Sequence, residues 1–291
     1  MIPAVALIGT GRLASALAPA LKGAGIRVVS VVARTESSAG RFRRQFPRLA
    51  GVTGTTLRGK PGLLLLAVPD REIEATAAVL ARFPVRPDGV ALHHAGGLGR
   101  EVLEPLRSAG LATGVLHPLQ VMGIAGHKVL EGSYARIDGE PRARRLAAEL
   151  AAELGMTALK FRRRPDREAL SAYHAGAALA SNDLVALLSL GTDLLVASGV
   201  GRAQALDALA TLAGGAIRNL REGGVPGAMT GPVARGDTVT VSAHLDRLEE
   251  LSPEAREIHR LLSRRLLDLS RSGGVKERSR MGRILGRRRS S

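Results

Sequence analysis

The stretch Ala4-Val5-Ala6-Leu7-Ile8-Gly9-Thr10-Gly11-Arg12-Leu13-Ala14 decides the fold. Residues 4–8 form a near-continuous apolar run, as expected of a strand covered on both faces. Residues 9–14 read G-x-G-x-x-A. Gly9 permits a tight turn, Gly11 lets the backbone approach a pyrophosphate, and the small Ala14 lets helix and strand pack closely. A helix opening at this point presents unpaired N–H groups and the positive end of its dipole to an anion. Thr10, Arg12 and Leu13 complete the turn expected to hold a dinucleotide.

Outward from this turn, short apolar runs at 28–33, 63–68, 90–94 and 113–116 read as further strands. They alternate with helical patterns at 12–24, 37–46, 70–81 and 100–109. That alternation predicts a parallel, doubly wound sheet. A further pair of strands, 134–137 and 157–161, brackets a helix over 141–154 that Gly155 stops. At Arg162-Arg163-Arg164-Pro165-Asp166 the pattern changes, and 166–198, 202–222 and 237–270 carry helical periodicity alone. The expected fold class is therefore α/β, a Rossmann-type domain over 1–163 followed by an all-helical domain over 164–270.

Composition narrows the function. The absence of cysteine excludes disulfides, thiolate catalysis and cysteine-based metal centres, no metal site is expected, and a cytoplasmic setting fits. Aromatic residues are 2%, with no Trp, which removes stacking platforms for single-stranded nucleic acid. The N-terminus lacks the basic segment of a signal peptide. The most apolar stretches, 63–68 and 184–200, are too short or carry Asp193, so no membrane span is expected. The net charge is +16, yet residues 271–291 hold eight Arg and Lys against one acid, leaving +7 in that tail alone. The tail reads as a solvated, disordered end, with a weak polyanion-binding arm as the alternative.

Strand ends at the carboxyl edge of such a sheet carry the ligand contacts. An acid at the end of the second strand would take a ribose 2′-hydroxyl, but this chain has Ala33-Arg34-Thr35 with Ser37 beyond. Arg34 pairs naturally with a 2′-phosphate, and Thr35 and Ser37 can donate to it, so NADP(H) is expected. Glu36 is the one dissenting residue. Val68 and Pro69 follow the third expected strand, and Ala95 and Gly96 follow the fourth, small enough for a nicotinamide ring or substrate to approach. Asp70 suits a helix cap.

Three polar clusters remain for chemistry. His117, in Leu116-His117-Pro118, ends the fifth expected strand and faces the cleft. Ser171, His174 and Ser181 share one stripe of a helix so apolar that it is expected to be buried, and Asn182 lies beside that stripe. Thr230, Arg235 and Asp237 lie in a segment joining two helices, which reads either as a solvent loop with Asp237 as cap or as a grip on an anionic substrate.

Together GTGRLASAL, HHAGG, LHPLQ, YHAGAALASNDLVALL and TGPVARGDTVTVSAHL resemble the proteins that join a Rossmann-like domain to the DUF2520 domain, over about residues 1–265. That family is similar to pyrroline-5-carboxylate reductase, ketopantoate reductase and 6-phosphogluconate dehydrogenase. The resemblance implies a substrate held between the two domains and a homodimer formed through the helical part. His117-Pro118 resembles a His-Pro pair of prephenate dehydrogenases whose histidine engages the reacting hydroxyl. Ketopantoate reductases carry a lysine four residues before an asparagine; Asn182 matches the asparagine, but Ala178 stands at the lysine position, leaving His174 one turn earlier as substitute. The Arg235–Asp237–Thr238 segment is similar to their substrate-gripping loop.

These readings converge on an NADP(H)-dependent oxidoreductase acting on a small carbonyl compound, a 2-oxo acid such as ketopantoate. His117 or His174 would supply the proton from an ordinary pKa near 6.5. Asn182 would orient the carbonyl, while Arg235, with Ser181, Thr230 and Asp237, would hold a carboxylate. The alternatives are an imine reductase, whose substrate arrives protonated, and a non-catalytic NADPH-binding regulator using its basic tail on an acidic partner.

Overall fold

The computed structural model describes residues 1–47, 52–54, 56–57, 59–83, 86, 88–123, 129–270 and 275–286. It separates into two compact units, 1–181 and 182–291.

The first unit is a sheet of eight strands in the order β3-β2-β1-β4-β5-β6-β7-β8. These are β1 (Val5–Ile8), β2 (Val28–Val32), β3 (Val52–Gly54), β4 (Leu63–Leu66), β5 (Val90–His93), β6 (Ala112–Leu119), β7 (Tyr134–Gly139) and β8 (Thr157–Ala158). The run β3 to β6 is parallel. β7 pairs antiparallel with β6, and β8 runs parallel to β7. The sheet is thus mostly rather than wholly parallel. The reason is local: among the described residues no crossover helix separates β6 from β7, and a parallel neighbour requires one. β3 is an addition to the expected strands, and the final strand is shorter than the expected 157–161.

Helices α1 (Arg12–Gly23), α2 (Glu36–Gln45), α3 (Ile73–Leu80), α4 (Glu104–Ser108) and α5 (Pro141–Glu153) cover the sheet. Alternation along each strand divides the core. Val5, Leu7, Leu63 and Leu65 join α1 and α5 on one face. Ala6, Ile8, Leu64 and Leu66 join α3 and α4 on the other. Period-two alternation with both faces buried is why these strands read as unbroken apolar runs.

Helix α6 (Arg167–Ala197) begins in the first unit and ends in the second. It was expected to be buried, yet Leu179 is 66% and Val185 68% exposed. It is also long and apolar enough, by length and composition, to cross a membrane, contrary to the expectation of no such segment. The apolar run of this helix starts well before residue 184.

The second unit continues through α7 (Arg202–Ala228), broken at Gly224, then α8 (Pro232–Arg235), α9 (Thr238–Leu251), α10 (Pro253–Leu269) and α11 (Val275–Gly286). The last of these corrects the expectation of a disordered tail. Met281 and Leu285, one helical turn apart, are fully buried with Val233, Val241, Leu245 and Leu267. The buried Arg260 donates from Nη1 to Leu285 O at 2.7 Å, placing a cation at the helix C-terminus. Residues 271–274 and 287–291 of the expected tail lie outside the described residues.

Candidate active site

The glycine-rich turn opens onto a cavity of about 650 Å³, within the range of cofactor sites. Gly9 sits at φ +115°, and a Cβ there would lie 2.2 Å from Ala67 O, so the turn packs directly on the end of β4. Gly11 is different: a Cβ there would meet nothing within 4 Å. The protein's own packing leaves that space open, on the side where a pyrophosphate would lie. No side chain caps α1 and no acid sits in its first turn, so its leading N–H groups remain available to an anion. Gly9, Thr10, Gly11, Val68 and Pro69 line the cavity. Arg12 and Leu13 do not, and Ala14 is buried, packing α1 onto the sheet.

At the end of β2 the expected phosphate group is partly rearranged. Arg34 lines the cavity and is ion-paired with Glu72 at 3.1 Å, both on the rim. Thr35 instead caps α2, its Oγ1 accepting from Ser38 N at 3.1 Å. Ser37 Oγ accepts from Arg41 Nη1 at 2.9 Å and does not reach the lining. Ser38 and Arg41 do, with Arg41 Nη2 donating to Ser38 Oγ at 3.0 Å. The i, i+4 step from Ser37 to Arg41 carried that signal in the sequence. Glu72 had no signal there, since only the fold brings residue 72 beside residue 34.

Along the same edge, β5 and β6 deliver a second group. His93 and His94 are buried. Nδ1 of His93 accepts from Ala95 N at 3.1 Å, so its Nε2–H donates to Gly99 O at 2.8 Å. His94 donates from Nδ1 to Leu116 O. Burial holds His93 down to about 3 and His94 to about 4. Both are neutral braces for the loop that carries Ala95 and Gly96.

Gly96 is the meeting point of the expected acids. A Cβ on it would lie 2.9 Å from Nε2 of His117 and 2.9 Å from Nδ1 of His174, so only a glycine lets the two rings close over the loop. His117 Nδ1 is 2.9 Å from the Tyr173 hydroxyl, with the rings edge-on at 5.7 Å. Phe161 packs edge-on against Tyr173 at 5.9 Å. Tyr173 was passed over in the sequence because it precedes His174 and lies off the Ser171–His174–Ser181 stripe. Burial first, and Arg136 second, push His117 down to about 4. The ordinary value expected from the sequence is thus corrected: His117 is neutral at pH 7.

Arg136 was also missed. It is the cross-strand partner of His117, and its neighbours Leu116 and Ala135 lie in the opposite core, so the two polar side chains share a face. The guanidinium is fully buried, and Nη2 donates to Ala95 O at 3.1 Å and Leu98 O at 2.5 Å. A lone arginine in Tyr134-Ala135-Arg136-Ile137 resembles any solvent-facing strand residue until the sheet closes over it.

The remaining expected residues have local roles. Ser181, the last residue of the first unit, donates to Ala177 O at 2.7 Å. Asn182, Thr230, Arg235 and Asp237 belong to the second unit. Asn182 is exposed. Arg235 Nη1 donates to Thr230 O. Asp237 caps α9, accepting from Thr240 N at 3.0 Å and Thr240 Oγ1 at 2.7 Å, contacts that hold its pKa below the ordinary range.

Models of two domains match the chain, a Rossmann-like domain over residues 3–118 and DUF2520, a domain of unknown function, over residues 133–266. Helix α11 lies beyond both. Comparison with curated proteins gives no match. Among solved structures the chain is similar to a protein from Bacteroides fragilis provisionally described as an NADP oxidoreductase (TM-score 0.70, 23% identity, 91% of this chain and 97% of that one). It is similar to a protein of Thermotoga maritima (0.67, 24%, covering 91% and 98%). It is also similar to 1-pyrroline-5-carboxylate reductase from Streptococcus pyogenes (0.61, 15%, covering 95% and 98%). At these identities the likeness establishes the fold.

Proposed function

This chain belongs to the family that joins a Rossmann-like domain to DUF2520, and we propose that it is an NADPH-dependent reductase of a small carbonyl compound, a 2-oxo acid such as ketopantoate. The observation that carries this reading is the placement of two groups on one sheet edge. The glycine turn follows β1, and the His117–Tyr173–His174 cluster gathers over the loop after β5, two strand positions away. At about 4.8 Å per strand that is about 10 Å, a span suited to a dinucleotide with its phosphates at one group and its reactive ring at the other. Arg34, Ser38 and Arg41 would hold the 2′-phosphate, with Glu72 released from Arg34 as the phosphate takes its place.

NADPH supplies the hydride. The proton is this chain's task. A neutral His117 that accepts from Tyr173 at Nδ1 carries its proton on Nε2, beside Gly96. It donates that proton to the substrate oxygen and takes the tyrosine proton at Nδ1; solvent then restores Tyr173. His174 lies on the other side of the same point and orients the oxygen.

One observation favours the imine reading as well: His117 is neutral at pH 7 and holds no imidazolium proton to give, and an iminium substrate needs none. The two readings separate in one experiment. NADPH oxidation at 340 nm is followed across 2-oxo acids, ketopantoate included, and cyclic imines. On a 2-oxo acid, His117→Ala and Tyr173→Phe each lower kcat by about 100-fold or more with NADPH affinity unchanged. On an imine the same variants stay within a few-fold. Turnover of a 2-oxo acid unaffected by both variants would exclude the proton path, and absence of NADPH binding would exclude the function.

The same reading makes the chain a homodimer through its helical part. Support comes from the apolar side chains that α6 and α7 leave exposed, Val185, Leu206 and Leu212 among them.

A further inference from the structure

Arg136 is buried without a carboxylate paired directly to its guanidinium. Among the described residues no carboxylate lies within ion-pair distance of it. Both hydrogens of Nη2 are used on the carbonyls of Ala95 and Leu98. Nη1 and Nε are buried and have no partner. Three N–H bonds of a cation are therefore left without acceptors in the interior, where each unsatisfied charged donor is costly. The two acids nearest in the electrostatic sense are otherwise placed. Asp138 accepts from Gly139 N at 2.7 Å and pairs with Arg164 at 3.5 Å. Glu101 packs its carboxylate over Gly99.

Such a group persists in a folded protein when a ligand completes it. Its position says which ligand. Arg136 grips the carbonyls on either side of Gly96 and shares a face with His117, so an anion on it would sit beside the point where His117 and His174 meet. We propose that Arg136 is the anchor for the carboxylate of the substrate, and that the enzyme acts on a carbonyl or imine carbon close to a carboxylate. This rests on the reductase reading for the reaction, but the carboxylate site stands on its own geometry. It moves the grip on the acid group from Arg235, whose guanidinium serves its own loop, to the interior of the first unit.

The site also links binding to chemistry. Arg136 is the second cause, after burial, of the low pKa of His117. A carboxylate placed on Arg136 offsets that cause, so His117 becomes a better proton holder when an acid is bound. An uncharged analogue leaves it unchanged.

The full-length chain is titrated with 2-oxobutyrate and with its uncharged amide, with and without saturating NADP⁺, following the His117 ring signal by NMR. The acid is expected to bind at least about 10-fold more tightly than the amide and to raise the His117 pKa, while the amide leaves it in place. Arg136→Met is expected to erase the preference for the acid with NADP⁺ affinity within about two-fold, and Arg136→Lys to keep part of it. Equal binding of acid and amide by the unmodified chain overturns the proposal, whatever the variants do. So does an Arg136→Met protein that still prefers the acid, or one whose loss falls on NADP⁺ instead. Preference for the acid in a chain that binds no NADP⁺ would uphold the carboxylate site and defeat the reductase reading.

Discussion

Two glycines of one motif differ in what requires them. Gly9 is demanded by the protein, because its backbone conformation and the carbonyl of Ala67 leave no place for a side chain. Gly11 is demanded by no neighbour. Gly9→Ala is therefore expected to lower the Tm and to abolish dinucleotide binding together. Gly11→Ala should leave the Tm within about a degree, since surface changes without a lost contact cost under about 0.5 kcal/mol. Its NADPH affinity should fall by about 10-fold or more as the new methyl meets the phosphate. Thermal melts with and without NADPH separate the two, and an unaltered affinity in Gly11→Ala would remove the pyrophosphate from that space. At this scale the sequence was informative where backbone shape decides, and misleading where electrostatics decides. His117 was visible by its position at a strand end, but its low pKa arises from burial and from Arg136, a residue 19 positions away.

Among the elements, the outcome that departs furthest from expectation is α11. Its six charged and polar side chains conceal a short apolar stripe at Met281, Ile284 and Leu285. With so few apolar groups the helix is not stable alone. It forms because α9 and α10 offer an apolar surface, Arg260 meets its terminal carbonyl, and Arg278 donates to Ser270 O. Met281→Lys, which buries an unpaired charge in that surface, is expected to destabilise the chain by about 3 kcal/mol or more, lowering the Tm by several degrees. A Tm unchanged from the parent would mean that the helix contributes nothing.

The whole molecule carries two further expectations. His93, His94 and His117 are held near 3, 4 and 4 against an ordinary 6.5. The unfolded chain therefore takes up protons between pH 6.5 and about 4 that the folded chain refuses. Their contribution to stability is complete above pH 6.5 and declines as pH falls through that window, at about 1.4 kcal/mol per histidine for each pH unit. The Tm should fall steeply from pH 6.5 to pH 5, before most carboxylates titrate; a flat profile there would mean that these rings are solvated. In solution, light scattering should report twice the 30.4 kDa of one chain, and Val185→Glu with Leu212→Glu should return the single-chain mass. A monomeric parent would leave the exposed faces of α6 and α7 to another role.

What the sequence by itself determined is local in origin. Apolar runs, helical periodicity and the glycine turn act over a few residues, and from them came the α/β fold, the helical second part and the place of the glycine-rich turn on the sheet edge. The tertiary structure alone decided the reversal of β7 and β8, the pairing of Glu72 with Arg34, the meeting of His117 and His174 over Gly96, and the burial of Arg136. Each of these depends on residues tens of positions apart, and charge, unlike helical or strand periodicity, acquires its energy only from what surrounds it once the chain has closed.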